Sequence, residues 1–120
     1  MGQKYVLMFV RDDEAFLADP AHDHRYESIN QWFMDLGQQG KIVETGSELQ
    51  PAHNATTVRW SGGNPLVTDG PFMESKETVA GFTTIEVSDL DEAIAIAKRW
   101  PAKDHAIEIR PVVDFEMDGH

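Results

Sequence analysis

The chain contains no cysteine, so disulfide bonds, thiolate nucleophiles and cysteine-ligated zinc are excluded. A reducing compartment is compatible with this composition. No apolar run approaches the ~20 residues that a membrane-spanning helix needs, and no signal-peptide pattern precedes the first apolar segment. We therefore expect a cytoplasmic protein that does not contact a membrane.

Basic residues are also few, since the chain has 10 Lys and Arg against 21 Asp and Glu and a formal net charge of -11. Proteins that bind DNA or RNA neutralise phosphates with Lys and Arg. Because no basic cluster is present, direct nucleic-acid contact is not expected. The charge balance favours a well-solvated surface, and an acidic face that binds a basic protein partner is the alternative.

The sequence lacks several motifs of cofactor and catalytic sites, namely the Walker loop, the GxGxxG loop, the Gly-x-Ser-x-Gly elbow and the His-Glu-x-x-His pair. No cofactor is therefore expected. The triplet His22-Asp23-His24 offers side chains that bind zinc or iron, with His53 and His105 as distant further ligands. Because no fourth ligand lies near the triplet, solvated histidines at a helix entry are preferred, and no metal is expected.

The chain has 120 residues, of which 41% are hydrophobic, and this is enough for one domain with its own core, at 1–120. Apolar side chains recur at helical spacing at Tyr26, Ile29, Phe33 and Leu36, which predicts one face of a helix. This spacing leaves Trp32 on another face of the same helix. The predicted elements, in chain order, are a strand at 4–10, a polar loop at 11–23, a helix from 23 or 24 to 39, strands at 42–46, 55–60, 65–68 and 80–87, a helix capped by Ser88 or Asp89, and a strand at 106–117 that contains Pro111.

This order is β-α-β, a hairpin insertion near residues 55–70, and β-α-β again, which predicts the α+β class with a ferredoxin-like antiparallel sheet and two helices on one face. The first strand is apolar without alternation, so both of its faces should be covered. Two helices cover only one face of such a sheet. We therefore expect a second copy of the chain to cover the other face, in a homodimer whose two sheets form a dimeric α/β barrel.

Residues 68–77 read TDGPFMESKE. Within this string, a turn is favoured at Asp69, Gly70 and Pro71, because Gly70 tolerates positive φ, Pro71 fixes φ and Asp69 can bond backbone amides. The whole string resembles the DGPF signature of the YCII-related family. Further blocks resemble the family in the same order along the chain, at 4–8, 48–51, 55–59, 81–82, 85–87, 89–93 and 107–111.

The resemblance implies a dimeric α/β barrel subunit with a cleft near the sheet. Some members of the broader family carry a His and an Asp that look like a catalytic pair. Members of the DGPF branch resemble partners of extracytoplasmic-function sigma factors by gene association, which implies a role in transcription initiation. In this chain Ile29 holds the place of the family's helical His, so the His half of the pair does not carry over. The resemblance identifies neither a substrate nor a reaction.

Asp69 is the candidate catalytic residue, because a carboxylate between Phe72 and the sheet would lie at the rim of a cleft and suit proton transfer. The alternative is a turn carboxylate that holds backbone amides. Phe72, Arg59 and Lys76 are the candidate ligand-binding residues, with Arg59 presenting a planar fork to a carboxylate. The alternatives are an ion-paired strand arginine and a solvated lysine.

Two functions stay open from the sequence. The first is a barrel dimer that binds a small molecule, with cofactor-free acid–base activity. The second is a non-catalytic regulatory module that binds a sigma factor through its acidic surface, with a salt-sensitive affinity. An enzyme of the first kind should enclose an apolar cavity with Asp69 pointing inward, and an interaction module has no need of one.

Overall fold

The structure is a computed structural model that describes residues 2–20 and 22–115, leaving out the side chains of residues 22–24. None of the helices in the described part is long and apolar enough to cross a membrane. The elements in chain order are β1 (Gln3–Asp12), α1 (Asp13–Ala18), α2 (His22–Gln38), β2 (Ile42–Glu48), a 3-10 turn (Ala52–Asn54), β3 (Thr56–Ser61), β4 (Asn64–Asp69), β5 (Glu77–Val87), α3 (Leu90–Lys98) and β6 (Ala106–Pro111).

Four strands form one sheet in the order β2-β5-β1-β6, and all three pairings are antiparallel. The predicted α+β class with an antiparallel sheet is confirmed. The sheet of this single chain is open, with β2 and β6 at its edges, so the described residues form no closed barrel. Pro111 ends β6 at one edge, which fits the rule that proline is confined to edge strands or bulges.

The central strand β1 buries alternate residues. Tyr5, Leu7 and Phe9 belong to the core, whereas Val6, Met8 and Val10 on the opposite face are only half-buried. Both faces of β1 were predicted to be covered. Within a single chain only the face with Tyr5, Leu7 and Phe9 is fully buried. The sequence hides this alternation, because both sets of side chains are apolar.

The core between sheet and helices is built around aromatic rings. Phe9 stacks on Trp100 with ring centroids 4.1 Å apart, and Trp32 meets Trp100 edge-on at 5.0 Å. Trp32 also donates a hydrogen bond from Nε1 to the carbonyl of Ile96, at 3.2 Å. The placement of Trp32 on another face was therefore wrong. The core-facing stripe of α2 is wider than the spacing of its smaller apolar residues indicates.

Residues 13–18 form a helix where the sequence indicated only a polar loop. The Asp12 carboxylate caps this helix, since Oδ1 accepts a hydrogen bond from the Ala15 amide at 3.1 Å. Phe16 anchors it, with a side chain only 3% exposed. The helix has six residues and a single buried side chain, so it carries no periodic apolar pattern by which it would be recognised.

Strands β3 and β4 form a separate two-stranded sheet, the hairpin, with its tip at Gly62-Gly63 and Thr56 paired with Asp69 at its base. Almost all of its side chains are exposed, including Trp60 at 70%. The hairpin therefore contributes little to the core and extends the molecule, whose principal extents are 48 × 45 × 18 Å.

Gly46 in β2 is predicted to be intolerant of any side chain. Its φ is +70°, and a Cβ added there would overlap the carbonyl oxygen of Phe82. Gly46→Ala should therefore lower the free energy of unfolding by about 3 kcal/mol or more, from the left-handed backbone and the displaced strand together. Urea denaturation monitored by tryptophan fluorescence measures this loss.

Gly40→Ala is the matched control, because Gly40 has the same φ of +70° and no atom lies within 4 Å of the place that its added methyl group would take. Only the backbone penalty of roughly 1–2 kcal/mol is expected there. Equal losses in the two variants would contradict the close contact between β2 and the carbonyl of Phe82.

Candidate functional site

A cavity of about 370 Å³ lies between the helix-covered face of the sheet and α2. Six Phe, Tyr and Trp residues line this aromatic cavity: Phe9, Phe16, Tyr26, Phe33, Phe82 and Trp100. Its polar lining includes residues distant in sequence, among them Arg11, Tyr26, Asn30, Glu48 and His105. A mostly apolar wall with a few converging polar groups is the usual form of a small-molecule site.

Irregular strand pairing shapes one wall of the cavity. The register between β2 and β5 shifts twice, on either side of Glu44, and Gly46 follows in the second irregular stretch. The pairing of β1 with β5 shifts between Phe9 and Val10. Such bulges bend a strand and redirect its side chains. The end of β2 thereby brings Glu48 to the cavity.

Arg11, the polar residue near the end of β1, is buried at 6% exposure. Its Nε donates to Asp13 Oδ1 and its Nη1 donates to Glu48 Oε2, both at 3.2 Å. Its guanidinium also lies over the ring of Phe16, with Cζ 3.9 Å from the ring centroid. A buried cation requires such partners, so this cation–π contact and the two ion pairs fix Arg11 in the cavity wall.

The Asp13 carboxylate joins three parts of the chain. Besides Arg11, its Oδ2 accepts hydrogen bonds from the Ala52 amide and from the Thr78 hydroxyl, each at 3.0 Å. Burial by itself would raise the pKa of Asp13, but the hydrogen bonds from Ala52, Arg11 and Thr78 together outweigh it and lower that pKa. Asp13 therefore keeps its negative charge and balances Arg11.

Glu48 and Tyr26 form the second polar pair of the cavity. The Tyr26 hydroxyl donates to Glu48 Oε2 at 2.6 Å, on the same oxygen that accepts from Arg11. Burial and the Glu48 carboxylate raise the pKa of Tyr26, so its hydroxyl stays protonated. The Glu48 side chain is 47% exposed, which leaves this carboxylate accessible to solvent and to a ligand.

His105 lies just before β6 and completes the polar lining. Its Nδ1 accepts a hydrogen bond from Trp100 Nε1 at 3.1 Å. Its Nε2 is buried and finds no hydrogen-bond partner among residues 2–20 and 22–115. Burial is the main cause that lowers the pKa of His105, against the opposing effect of Asp104. The neutral imidazole is therefore favoured.

The four residues that the sequence proposed for the site lie elsewhere. Asp69 is exposed at the end of β4, and Arg59 in β3 has its Cζ 4.6 Å from the ring of the exposed Phe72. Lys76 is exposed just before β5. None of them lines the aromatic cavity, and only Arg59 and Phe72 are brought together. Their catalytic and ligand-binding roles stay predictions.

The turn at the signature string has the geometry that its residues indicate. Gly70 has a φ of +100°, a value that favours glycine. Its amide donates to the Ala55 carbonyl and its carbonyl accepts from the Thr57 hydroxyl, both at 2.7 Å. This turn closes the base of the hairpin.

The sequence did not single out Arg11, Tyr26 or Glu48 as functional residues. For Arg11 one signal was available: it directly follows the long apolar run of β1, and a charged residue in that place has to be accommodated at the edge of the core. For Glu48 and Tyr26 no local signal exists, since their roles depend on contacts with Arg11 across the fold.

The side chains of His22, Asp23 and His24 lie outside the described residues, so the metal-binding alternative for this triplet stays untested. Within the described part of the chain, no group of three or more His, Asp or Glu side chains is arranged to hold a metal ion.

Comparison with known proteins gives two matches. The sequence profile described as YCII-related domain matches residues 4–116, a span that includes both the aromatic cavity and the hairpin. An uncharacterised protein of Rhizobium meliloti (strain 1021) is 43% identical over 65 residues, which are 50% of this chain and 52% of that protein. The chain thus aligns with about half the length of the curated relative that it matches.

Proposed function

The chain belongs to the YCII-related family, and from this premise we propose that it binds a small ring-containing molecule in the aromatic cavity. The observation that carries the proposal is a cavity of about 370 Å³ with six Phe, Tyr and Trp residues in its wall. Aromatic walls favour planar apolar ligands, and a few polar groups fix their orientation. The assignment to the DGPF branch and a cytoplasmic location stay predictions.

Cofactor-free acid–base chemistry on the bound molecule is the second part of the proposal. General bases must lie within hydrogen-bond reach of the proton that they remove. Glu48 meets this condition best, because its carboxylate lines the cavity, is half-exposed, and is oriented by Tyr26 and Arg11. Asp69, the residue proposed from the sequence, remains the competing candidate from its exposed position on the hairpin.

The third part of the proposal is a homodimer. The strand order β2-β5-β1-β6, with α1 and α2 between β1 and β2 and α3 between β5 and β6, is compatible with a ferredoxin-like sheet. The half-buried Val6, Met8 and Val10 lie on the face of β1 away from the core. A second sheet packed on this stripe would remove it from water and form a dimeric α/β barrel.

The alternative function is a regulatory module that binds a sigma factor. It is supported by the net charge of -11 and by exposed apolar residues near the hairpin, such as Met73 at 73% exposure. Such an acidic surface would bind a basic protein surface with an affinity that falls as salt rises. A low-salt pull-down that recovers no sigma factor would count against it.

Binding in the aromatic cavity predicts that a bulky residue at its mouth blocks a ring compound. Asn30 is an exposed residue of α2 that lines the cavity. In Asn30→Trp, the affinity for 4-ethylphenol should fall about tenfold or more, because the indole occupies ligand space. Titration calorimetry and amide chemical shifts of cavity residues measure this binding.

Glu27→Trp is the matched control, since Glu27 is also exposed on α2 but does not line the cavity. Its affinity for 4-ethylphenol should equal that of the wild type. If the wild type shows no shifts at cavity residues, or if both variants bind alike, the aromatic cavity is not the binding site.

The acid–base part predicts a difference between two carboxylates. In D₂O the wild type should catalyse deuterium exchange of the methyl protons of 4′-hydroxyacetophenone, measured by proton NMR. Glu48→Gln should slow this exchange about a hundredfold, the order of a lost general base, whereas Asp69→Asn should leave it unchanged. The reverse pattern would assign the role to Asp69, and no exchange above buffer would contradict the chemistry.

The homodimer proposal predicts that a charge at the centre of the uncovered sheet face breaks the assembly. Met8→Lys should convert a wild-type dimer into a monomer, because its ammonium would be taken out of water between the two packed sheets, at a cost that the neighbouring Glu108 of β6 offsets only in part. Sedimentation velocity measures the mass. Met34→Lys is the control, since Met34 is exposed on the helix side, and it should stay dimeric. A monomeric wild type would refute this assembly.

A further inference from the structure

The hydrogen bond between Trp100 and His105 fixes which imidazole nitrogen carries the proton. Indole Nε1 is only a donor, so His105 Nδ1 must be the acceptor in the 3.1 Å bond. In a neutral imidazole the proton then resides on Nε2. The ring itself is held by Trp100 and Phe16, with ring centroids at 6.1 and 6.0 Å.

This Nε2–H is a buried donor without an acceptor among the described residues. Buried polar groups in folded proteins are nearly always hydrogen-bonded, and an unpaired one destabilises the fold. His105 is part of the wall of the aromatic cavity. Nε2 itself has almost no surface open to the empty cavity, so an acceptor atom supplied from the cavity would satisfy this donor after a small turn of the imidazole ring towards it.

The charges around the cavity decide what kind of acceptor fits. Each of the two arginines that act on His105 is already matched by two carboxylates: Arg11 by Asp13 and Glu48, and Arg25 by Asp19 and Asp104. Among the side chains that the structure describes, these four carboxylates against two guanidinium groups leave a negative balance. A ligand carboxylate or phosphate would add to that repulsion, whereas an uncharged carbonyl oxygen would not.

We propose that the aromatic cavity takes an uncharged ring compound that bears a carbonyl oxygen, and that the Nε2–H of His105 donates the hydrogen bond that recognises this oxygen. The inference rests on the proposed binding function and adds the ligand class. Trp100 fixes the tautomer of His105, so that Nε2 carries the proton, and a small turn of the ring presents this N–H to the ligand. A carbonyl so bonded is also polarised, which is the condition for removing a proton from the adjacent carbon.

The test compares three para-substituted phenols: 4′-hydroxyacetophenone with a carbonyl, 4-ethylphenol with a methylene in its place, and 4-hydroxybenzoate with a carboxylate. The wild type should bind the ketone about tenfold tighter than 4-ethylphenol and bind the benzoate weakest. Because the ketone is the less hydrophobic of the neutral pair, a preference for it cannot come from apolar burial. Titration calorimetry gives the three affinities.

His105→Phe removes the donor and keeps a ring in the wall, so the preference for the ketone should vanish or reverse. His53→Phe is the matched control at an exposed histidine that does not line the cavity, and it should keep the wild-type preference. Should His105→Phe fail to fold, the wild type still decides the matter, because the ¹⁵N resonance of His105 Nε2 must shift with the ketone and not with 4-ethylphenol.

Equal binding of the ketone and 4-ethylphenol, with no response at Nε2, would overturn the role of His105 while leaving cavity binding intact. Tightest binding of 4-hydroxybenzoate would also overturn it, in favour of an anion site at Arg11. If none of the three phenols binds, the proposed cavity function itself is contradicted and this inference falls with it.

Discussion

The burial of the Arg11 guanidinium is the constraint on which the cavity depends. A cation taken out of water needs partners that stay charged, and Arg11 has Asp13 and Glu48. Asp13 in turn holds the Ala52 amide and the Thr78 hydroxyl, so one ion pair connects β1, α1, the 3-10 turn and the start of β5. The cavity wall is therefore held by charge pairing at one end and by aromatic packing at the other.

The two ends of the cavity differ in chemistry for a structural reason. Phe9 and Arg11 lie two residues apart on the same face of β1, so the strand presents an aromatic ring and a cation to the same space. The ring joins the cluster of Trp32 and Trp100, and the cation attracts carboxylates. Alternation along a single strand thus places both an aromatic ring and a charged group in the wall of the cavity.

Much of the fold was predictable because it depends on local patterns. The helical spacing of Tyr26, Ile29, Phe33 and Leu36 located α2. Ser88 or Asp89 was predicted as the cap of α3, and Asp89 is the cap, since its Oδ1 accepts from the Glu92 amide at 2.9 Å. Helix α1 was missed, because one buried phenylalanine and a capping aspartate leave no periodicity.

The candidate site was not predictable, because its contacts are long-range. Arg11 and Glu48 are 37 residues apart in sequence, and β2 has to bulge twice before they meet. The Nε2–H of His105 depends on a contact with Trp100 that no spacing rule specifies.

The string at 68–77 has distinctive residues, and their local chemistry correctly indicated a turn there. Local chemistry does not determine where a turn lies relative to a cavity. The Asp-Gly-Pro-Phe segment closes the base of the hairpin, where Phe72 and Met73 are more than half exposed, as is Trp60 near the hairpin tip. Burying such apolar surface gains about 25 cal/mol per Å², and exposed apolar patches of this kind mark protein interfaces.

The aromatic cavity, by contrast, has its apolar side chains already gathered around a small volume. The chain therefore keeps an exposed apolar surface at the hairpin apart from the aromatic cavity, and the carboxylates of Asp69 and Glu48 lie one on each.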